Sequence, residues 1–378
     1  MSSITGVPGF SDYGMLGSLI AQSASVRQKL DQLTNQASSG LVGNSYAGLG
    51  AGAPVSLNLR PQIATLQAWQ SNVDAATGRM SVAQSAMTQI QSIASNFYAQ
   101  LNNVGGVNAS AVDGIAASAR DALSQVASLL DTQDGGVYVF AGQDTANPPV
   151  PDPANIANMA AYPTGYFAQI NAAVSGLAPP GSAVLTANAT FAVAVSNTAG
   201  TSPFSTYLSQ PGATLQLPTV QVGQNRSEQV GLLASANSLT PASVAPATLA
   251  GGPSATTGSY MRDVLRALAT IGSLSSTQVN VNGFQDLVQD TRISLSGAIT
   301  GMAQDAGVLG NVQSSLTATQ SSLADTQTAL TGQVSAVEDV DMASTLSQLS
   351  LVQTQMQASY QLISGMSGLS LVKFLPVA

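Results

Sequence analysis

Between residues 66 and 104 the apolar side chains fall at alternating steps of three and four: Leu66, Trp69, Val73, Ala76, Met80, Ala83, Met87, Ile90, Ala94, Phe97, Leu101 and Val104. A 3.5-residue period held this long, with no proline inside it, predicts one continuous helix carrying a coiled-coil seam. Such a helix would be roughly 58 Å long. A single stripe of that length cannot bury itself, so partner helices of similar length are required.

The same stepping recurs towards both ends. From Tyr13, the positions Leu16, Leu19, Ser23, Val26, Leu30, Leu33 and Ala37 predict a first helix stopped by Gly40, a glycine C-cap. The Gly/Ala-rich stretch 41–56, with Pro54, reads as a loop before the seam helix. Gly105-Gly106 ends that helix. Ile115, Ala119, Ala122, Val126 and Leu129 then mark another over 113–130, and Val137-Tyr-Val-Phe140 reads as a short β run. The texture changes from about residue 143. Prolines recur, no charge occurs between Pro153 and Asn225, and the alternations Phe191/Val193/Val195 and Leu215/Leu217 suggest strands separated by turns such as Pro179-Pro-Gly181. Helical spacing returns with Met261, Leu265, Leu268 and Ile271, and a long helical tract follows from Gly283 to about Val334. A last helix is expected after Ser335, with Glu338, Asp339 and Asp341 at the positive end of its dipole. Its heptad line is Met342, Leu349, Met356 and Ile363, flanked by Leu346 and Tyr360. The predicted class is mainly α with a β insertion, an elongated multi-helix coiled-coil bundle formed by the two ends of the chain. Three regions result: 1–142 helical, 143–257 an inserted, mostly β domain, and 258–378 helical.

Composition narrows the function. Charged residues make up 7% of the 378, against roughly 25% in ordinary soluble proteins. With two lysines and a net charge of −8, no basic face is available to neutralise phosphates, so nucleic-acid binding is not expected. Cysteine and histidine are absent, which removes disulfides, thiolate chemistry, most zinc sites and any serine–histidine triad. The start of the chain has no basic segment followed by an apolar run, and nowhere do eighteen apolar residues occur together, so neither a cleavable signal peptide nor a membrane span is expected. Ser370-Leu-Val-Lys373 matches Ser-x-x-Lys, but no Lys-Thr-Gly partner accompanies it, and neither a P-loop nor a nucleophile elbow is present. No catalytic, cofactor or metal residue is assigned. Glu338, Asp339 and Asp341 are read as a solvated helix start, and Trp69 as core.

The order of elements and several short motifs resemble the bacterial flagellin family. Gln36-Ala-Ser-Ser-Gly40 is similar to the family's helix-ending Leu-Ser-Ser-Gly. Ile90-Gln-Ser-Ile93 falls where its second helix carries leucine–glutamine–arginine, and Val340-Asp-Met-Ala343 and Leu369-Ser-Leu371 resemble its C-terminal signatures. The likeness covers roughly the first 140 and last 120 residues. Within the family, Gly136-Val-Tyr-Val-Phe-Ala-Gly142, then Asp144-Thr145 and Pro148-Pro149, with Gln357-Ala-Ser-Tyr360 and Ser370-Leu-Val-Lys-Phe-Leu375, leans towards the hook–filament junction members (hook-associated protein 3). The chain departs from the family's pattern in two places: the loop Leu41–Ala53 lacks the basic residue and Asp-Asp pair that the family normally carries there, and the family's arginines are absent at Ser92 and Ala94. The resemblance implies a structural, non-enzymatic component of the extracellular flagellum. Its implied partners are copies of itself, hook-associated protein 1, flagellin, and an export chaperone at the C-terminal helix.

The residues give that implication a physical form. A coiled coil that lives alone in water flanks its seam with Glu and Lys. Here the flanks are Gln67, Ala68, Gln70, Ser71, Asn72, Ser81, Gln84, Ser85, Thr88, Gln89, Gln91 and Ser92. Small neutral groups can be covered by a neighbouring subunit at modest cost, whereas an unpaired buried charge costs several kcal/mol, so the surface suits packing among copies. The expected assembly interface is Leu16, Leu19, Val26, Leu30, Leu33, Met342, Leu346, Leu349, Met356, Tyr360 and Ile363. The expected coiled-coil seam is Leu66, Trp69, Val73, Met80, Met87, Ile90, Phe97 and Leu101. The ends, about 1–40 and 338–378, are expected to order fully only on assembly. Three functions remain open at this point: a junction protein, a filament-forming flagellin, and an adhesin anchored through a flagellin-like body.

Overall fold

A computed structural model of the chain describes residues 10–104, 109–177, 182–237 and 256–369. It is mainly α with a β insertion. In chain order the elements are α1 (Phe10–Ser39), α2 (Ala53–Val104), α3 (Ala109–Leu130), β1 (Gln133–Asp134), β2 (Val137–Tyr138), α4 (Tyr166–Ser175), α5 (Ser182–Val195), β3 (Thr219–Gly223), β4 (Arg226–Gln229), α6 (Tyr260–Gly272), α7 (Phe284–Glu338) and α8 (Met342–Leu369). The turns read at Gly105-Gly106 and Pro179-Pro-Gly181, and the closing stretch 370–375, lie outside the described residues. The chain divides into two compact units, one made of 1–67 and 324–378, the other of 68–323.

In the first unit α1 packs against α8. Gly40 ends α1 at φ +72, and its N–H bonds the Gln36 carbonyl at 2.9 Å, the glycine cap that the sequence predicts. α2 begins earlier than the seam implies, because Ala53 onwards is already helical after a 3-10 segment, Tyr46–Gly52, that is kinked at Gly50. The break between α7 and α8 is tied to the loop after α1: Val42 N–H bonds the Glu338 carbonyl at 2.7 Å, and Val340 N–H bonds the Gly40 carbonyl at 3.0 Å.

In the second unit the core is built around α6, against which α3, α4 and α5 pack. Every residue of α6 is buried. The apolar stripe Met261, Leu265, Leu268 and Ile271 that the sequence shows is one part of this. The rest of the helix, including Arg262, Asp263 and Arg266, is covered as well. Burial of these charges is offset by a dense set of partners. Asp263 accepts from Thr257 N–H at 2.9 Å and lies 3.9 Å from Arg266 Nε; Arg266 Nη1 is 3.8 Å from Asp290, and its Nη2 donates to Ser294 at 2.8 Å. Arg262 donates to the carbonyls of Ser235 (2.7 Å) and Ala194 (2.8 Å) and to Asn197 Oδ1 (2.9 Å). Ser259 caps the start of α6, and Arg120 of α3 donates to the Gly272 carbonyl at its end.

The insert holds the antiparallel pair β3–β4, as well as the helices α4 and α5. Phe191, Val193 and Val195, expected on a strand, lie in α5. Three residues at period two do not separate strand from helix. The surrounding Ala183, Ala187, Ala189, Ala192 and Ala194 favour helix, and Ala183, Ala187 and Ala194 are buried. The run Val137–Phe140 forms a strand only over Val137–Tyr138, paired with β1 across Gly135-Gly136, both at positive φ as a tight hairpin requires. Phe140 is fully buried, and Ala141 forms a bridge with Leu233. Gly142 (φ +67) has no room for a side chain: a Cβ would lie 2.5 Å from Leu233 Cδ2 and 3.0 Å from the Gln216 carbonyl.

Asp131, after the end of α3, anchors the first loop of the insert by accepting the Val150 N–H at 2.8 Å. Burial pushes its carboxyl up to about 6, against the opposing pull of that hydrogen bond. Between about pH 4 and 6 the folded chain therefore holds a proton that the unfolded chain has lost, and stability falls as pH rises through this window. A neutral amide in place of this carboxyl would still accept from Val150 without carrying a charge. Asp131→Asn is therefore expected to melt higher than the parent above pH 6, by no more than about 2 kcal/mol once solvent screening is discounted. The gap should close below about pH 4 in thermal melts taken across the range.

Candidate assembly surface

The expected interface residues sort by the direction in which each helix turns. Asp341 caps α8, its Oδ1 accepting from Ala343 N–H at 3.0 Å and Ser344 N–H at 3.1 Å. From there the less exposed positions of α8 are Thr345, Leu349, Val352, Met356, Ser359 and Ile363. Their steps of four and three form a seam against α1. Of the six α8 residues read from the sequence, Leu349, Met356 and Ile363 are partly buried on this seam. Met342, Leu346 and Tyr360 are exposed beside it, and the Tyr360 hydroxyl accepts from Arg27 at 3.0 Å. On α1, Val26 and Leu30 are partly buried and Leu33 is 2% exposed. Leu16 and Leu19 lie within α1, but their side chains are outside the described residues.

Pairing α1 with α8 leaves a second apolar surface open. Leu351 is 58% exposed and Leu362 60%, alongside Leu346 at 51%. Leu351 and Leu362 are three helical turns apart, which puts them on one face away from the seam. A heptad reading through Met342 and Leu349 passes over them, because they belong to no line that the partner helix covers. Their spacing of eleven was the signal available in the sequence.

Along α2, Leu66, Val73, Met80, Met87, Ile90, Phe97 and Leu101 are buried and Trp69 is partly exposed. Val73, Ala76 and Met80 pack with Leu309 and Leu316 of α7, with Val222 of β3 and with Val230 just after β4. Met87, Ile90, Phe97 and Leu101 join the core around α6. The polar flanks face outwards: Gln67, Ala68, Ser71, Asn72, Ser81, Ser85, Thr88, Gln89 and Ser92 are exposed, and Gln70, Gln84 and Gln91 partly so. Many hydroxyls on these surfaces are already bonded to their own helix. Ser85 donates to the Ser81 carbonyl, Thr88 to Gln84, Thr317 to Gln313, Thr319 to Ser315 and Thr328 to Ala324. A neighbour can therefore cover them without stranding a donor.

Glu338 is placed differently from the sequence expectation. It ends α7 and does not open α8, since the helix break falls at Asp339–Asp341. Its carboxylate accepts from Arg60 Nε at 2.8 Å and from the Ser56 hydroxyl, and the Arg60 and Ser56 hydrogen bonds hold it below the usual glutamate range. This arrangement clasps the start of α2 to the end of α7 within the first unit. It binds a side chain partner and leaves no convergent acid cluster there. Among the described residues no group of three or more His, Cys, Asp or Glu side chains is placed to hold a metal ion, and no helix is long and apolar enough to cross a membrane.

The pattern describing the bacterial flagellin N-terminal helical region matches residues 13–145. The pattern describing the bacterial flagellin C-terminal helical region matches residues 294–375. Together they take in more than half of the chain. They cover α1 to the start of the insert, then most of α7 and all of α8. No curated protein matches the chain. Two helical ends matched in the family's own order, separated by residues 146–293 that neither pattern covers, identify a structural flagellar protein: the chain belongs to the bacterial flagellin family.

Proposed function

We propose that this protein is the family member that joins the flagellar hook to the filament, acting by position in an assembly of rods and not by catalysis. The observation carrying this reading is the stretch Gly136-Val-Tyr-Val-Phe-Ala-Gly142, which resembles the junction members. Each part of it has a structural requirement: positive φ at Gly136 and Gly142, full burial of Phe140, and no space for a Cβ at Gly142. The spacing is therefore constrained by packing, which makes chance similarity a poor explanation.

In this proposal the terminal helices (Leu16, Leu19, Val26, Leu30 and Leu33 of α1; Met342, Leu346, Leu349, Met356, Tyr360 and Ile363 of α8) form the assembly interface with copies of the chain, hook-associated protein 1 and flagellin. Regions 1–142 and 258–378 supply the axial rods and 143–257 the outward insert. A chaperone covers the C-terminal helix before export through the flagellar secretion apparatus, where the exposed apolar residues of α8 would otherwise promote premature association. Limited proteolysis of the monomer should trim both ends before the centre.

The deciding experiment incubates purified monomer with and without isolated hook fragments. Short caps on hook ends, with no growth in their absence, are expected. Long filaments from monomer alone would instead establish a filament-forming flagellin, the alternative that the two family matches favour equally.

A further inference from the structure

We infer that the insert carries a binding cleft for a neutral saccharide unit, a site separate from the assembly surfaces. The cleft has a volume of about 460 Å³ and lies between the Val150–Ile156 segment, the turn into α4 and the Asn197–Ser209 loop. That volume is within the usual range for small-ligand sites, roughly 300–1,000 Å³. Its walls combine apolar and aromatic surface (Val150, Ile156, Phe204 and Tyr162) with polar groups whose orientation is fixed from behind.

Asp152 is held by Asn155 Nδ2 (3.1 and 3.2 Å) and by the Tyr162 hydroxyl (2.7 Å). These hydrogen bonds keep its carboxyl below the ordinary aspartate range, so it is a permanent acceptor at neutral pH. Asn197 spends its Oδ1 on the Arg262 guanidinium at 2.9 Å, which leaves its amide N–H groups as donors on an exposed side chain. Ser202 Oγ accepts from Phe204 N–H at 3.3 Å and is hydrogen-bonded to Ser209 Oγ at 2.8 Å, which fixes its hydroxyl at the wall of the cleft. The Tyr162 ring, pinned by its hydroxyl, is 45% exposed. Fixed acceptor, fixed donors and an open aromatic ring together match a sugar, whose hydroxyls both donate and accept and whose C–H face covers an aromatic surface.

Charge disfavours an anion, which would meet the ionised Asp152. The Arg262 guanidinium lies 5.1 Å from the Phe204 ring centroid, so that ring's attraction for a cation is already used. A neutral, polyhydroxylated ligand avoids the repulsion that an anion meets, and a cation, which Asp152 attracts, is the competing class that choline probes.

The test uses the full-length monomer and saturation-transfer NMR. The probes are the methyl glycosides of glucose, galactose, mannose and N-acetylglucosamine, each beside its free sugar, with choline and acetate as the charged comparison. Only the glycosides imitate the end of a glycan chain, so the pairs separate a chain end from a free sugar. At least one neutral probe should bind with a dissociation constant of about millimolar or tighter, and more tightly than choline or acetate. Tyr162→Ala should weaken that binding about tenfold or more while circular dichroism and the melting temperature stay as in the parent; Asn197→Ala should weaken it as much, with a lower melting temperature because it also removes an acceptor from the buried Arg262 guanidinium. The inference is overturned if no neutral probe binds, if binding survives both substitutions, or if choline or acetate is preferred.

Discussion

Replacing Leu351 and Leu362 together by glutamate is expected to abolish incorporation into hook-capped assemblies while leaving the monomer folded. Both side chains are more than half exposed after α1 and α8 have paired, so the monomer loses little packing. In an assembly that covers this face, each leucine contributes about 1.5–3 kcal/mol, and each glutamate would instead bring a charge to be desolvated. The leucine contribution alone converts to a loss of roughly 10²- to 10⁴-fold in association. Sedimentation of monomer mixed with hook fragments reads this loss, and circular dichroism checks that the helices persist. Leu349→Glu is the contrasting variant. It strikes the seam between α1 and α8, so it should lower the monomer's helix content as well as its assembly. Normal capping by the double variant would mean that the assembly covers a different face.

Asp263→Ala is expected to destabilise the second unit by about 3–5 kcal/mol, the usual loss when one partner of a buried ionic set is removed. The carboxylate is the acceptor for Thr257 N–H and the Thr256 hydroxyl, and it lies beside Arg266. Truncation strands two donors and leaves the Arg266 guanidinium with less countercharge in a fully buried helix. Asp263→Asn keeps an acceptor for Thr257 and should lose less. The difference between the two variants separates hydrogen bonding from charge. Urea denaturation with a fixed m-value measures both. A loss below about 1 kcal/mol would mean that water or a rearranged Asp290 compensates the arginine.

Much of the architecture was legible because helical rods advertise themselves at short range. The seam Leu66–Val104 read correctly as one helix, since twelve apolar positions on one period outweigh any local alternative. Gly40 was legible for a similar reason: a residue that ends a helix in the left-handed region is nearly always glycine. Phe191, Val193 and Val195 misled because three alternating residues carry too little periodic information, and the alanines around them favour helix once α6 is available to pack against. Glu338 misled because an acidic residue near a helix start is a common dipole signal, while its actual partners, Ser56 and Arg60, lie some 280 positions earlier in the chain.

The candidate surfaces divide along the same line. Composition and heptad stepping by themselves determined a charge-poor, rod-forming chain with apolar ends, because those properties are written in the identity and spacing of neighbouring residues. Tertiary structure alone decided which face of α8 stays open, that α6 is buried on its charged side as well as its apolar one, and that Asp152, Tyr162 and Asn197 share one cleft. A periodic pattern reports that a face must be covered, but what covers it depends on contacts between residues far apart in the chain, and no local window of sequence contains both partners.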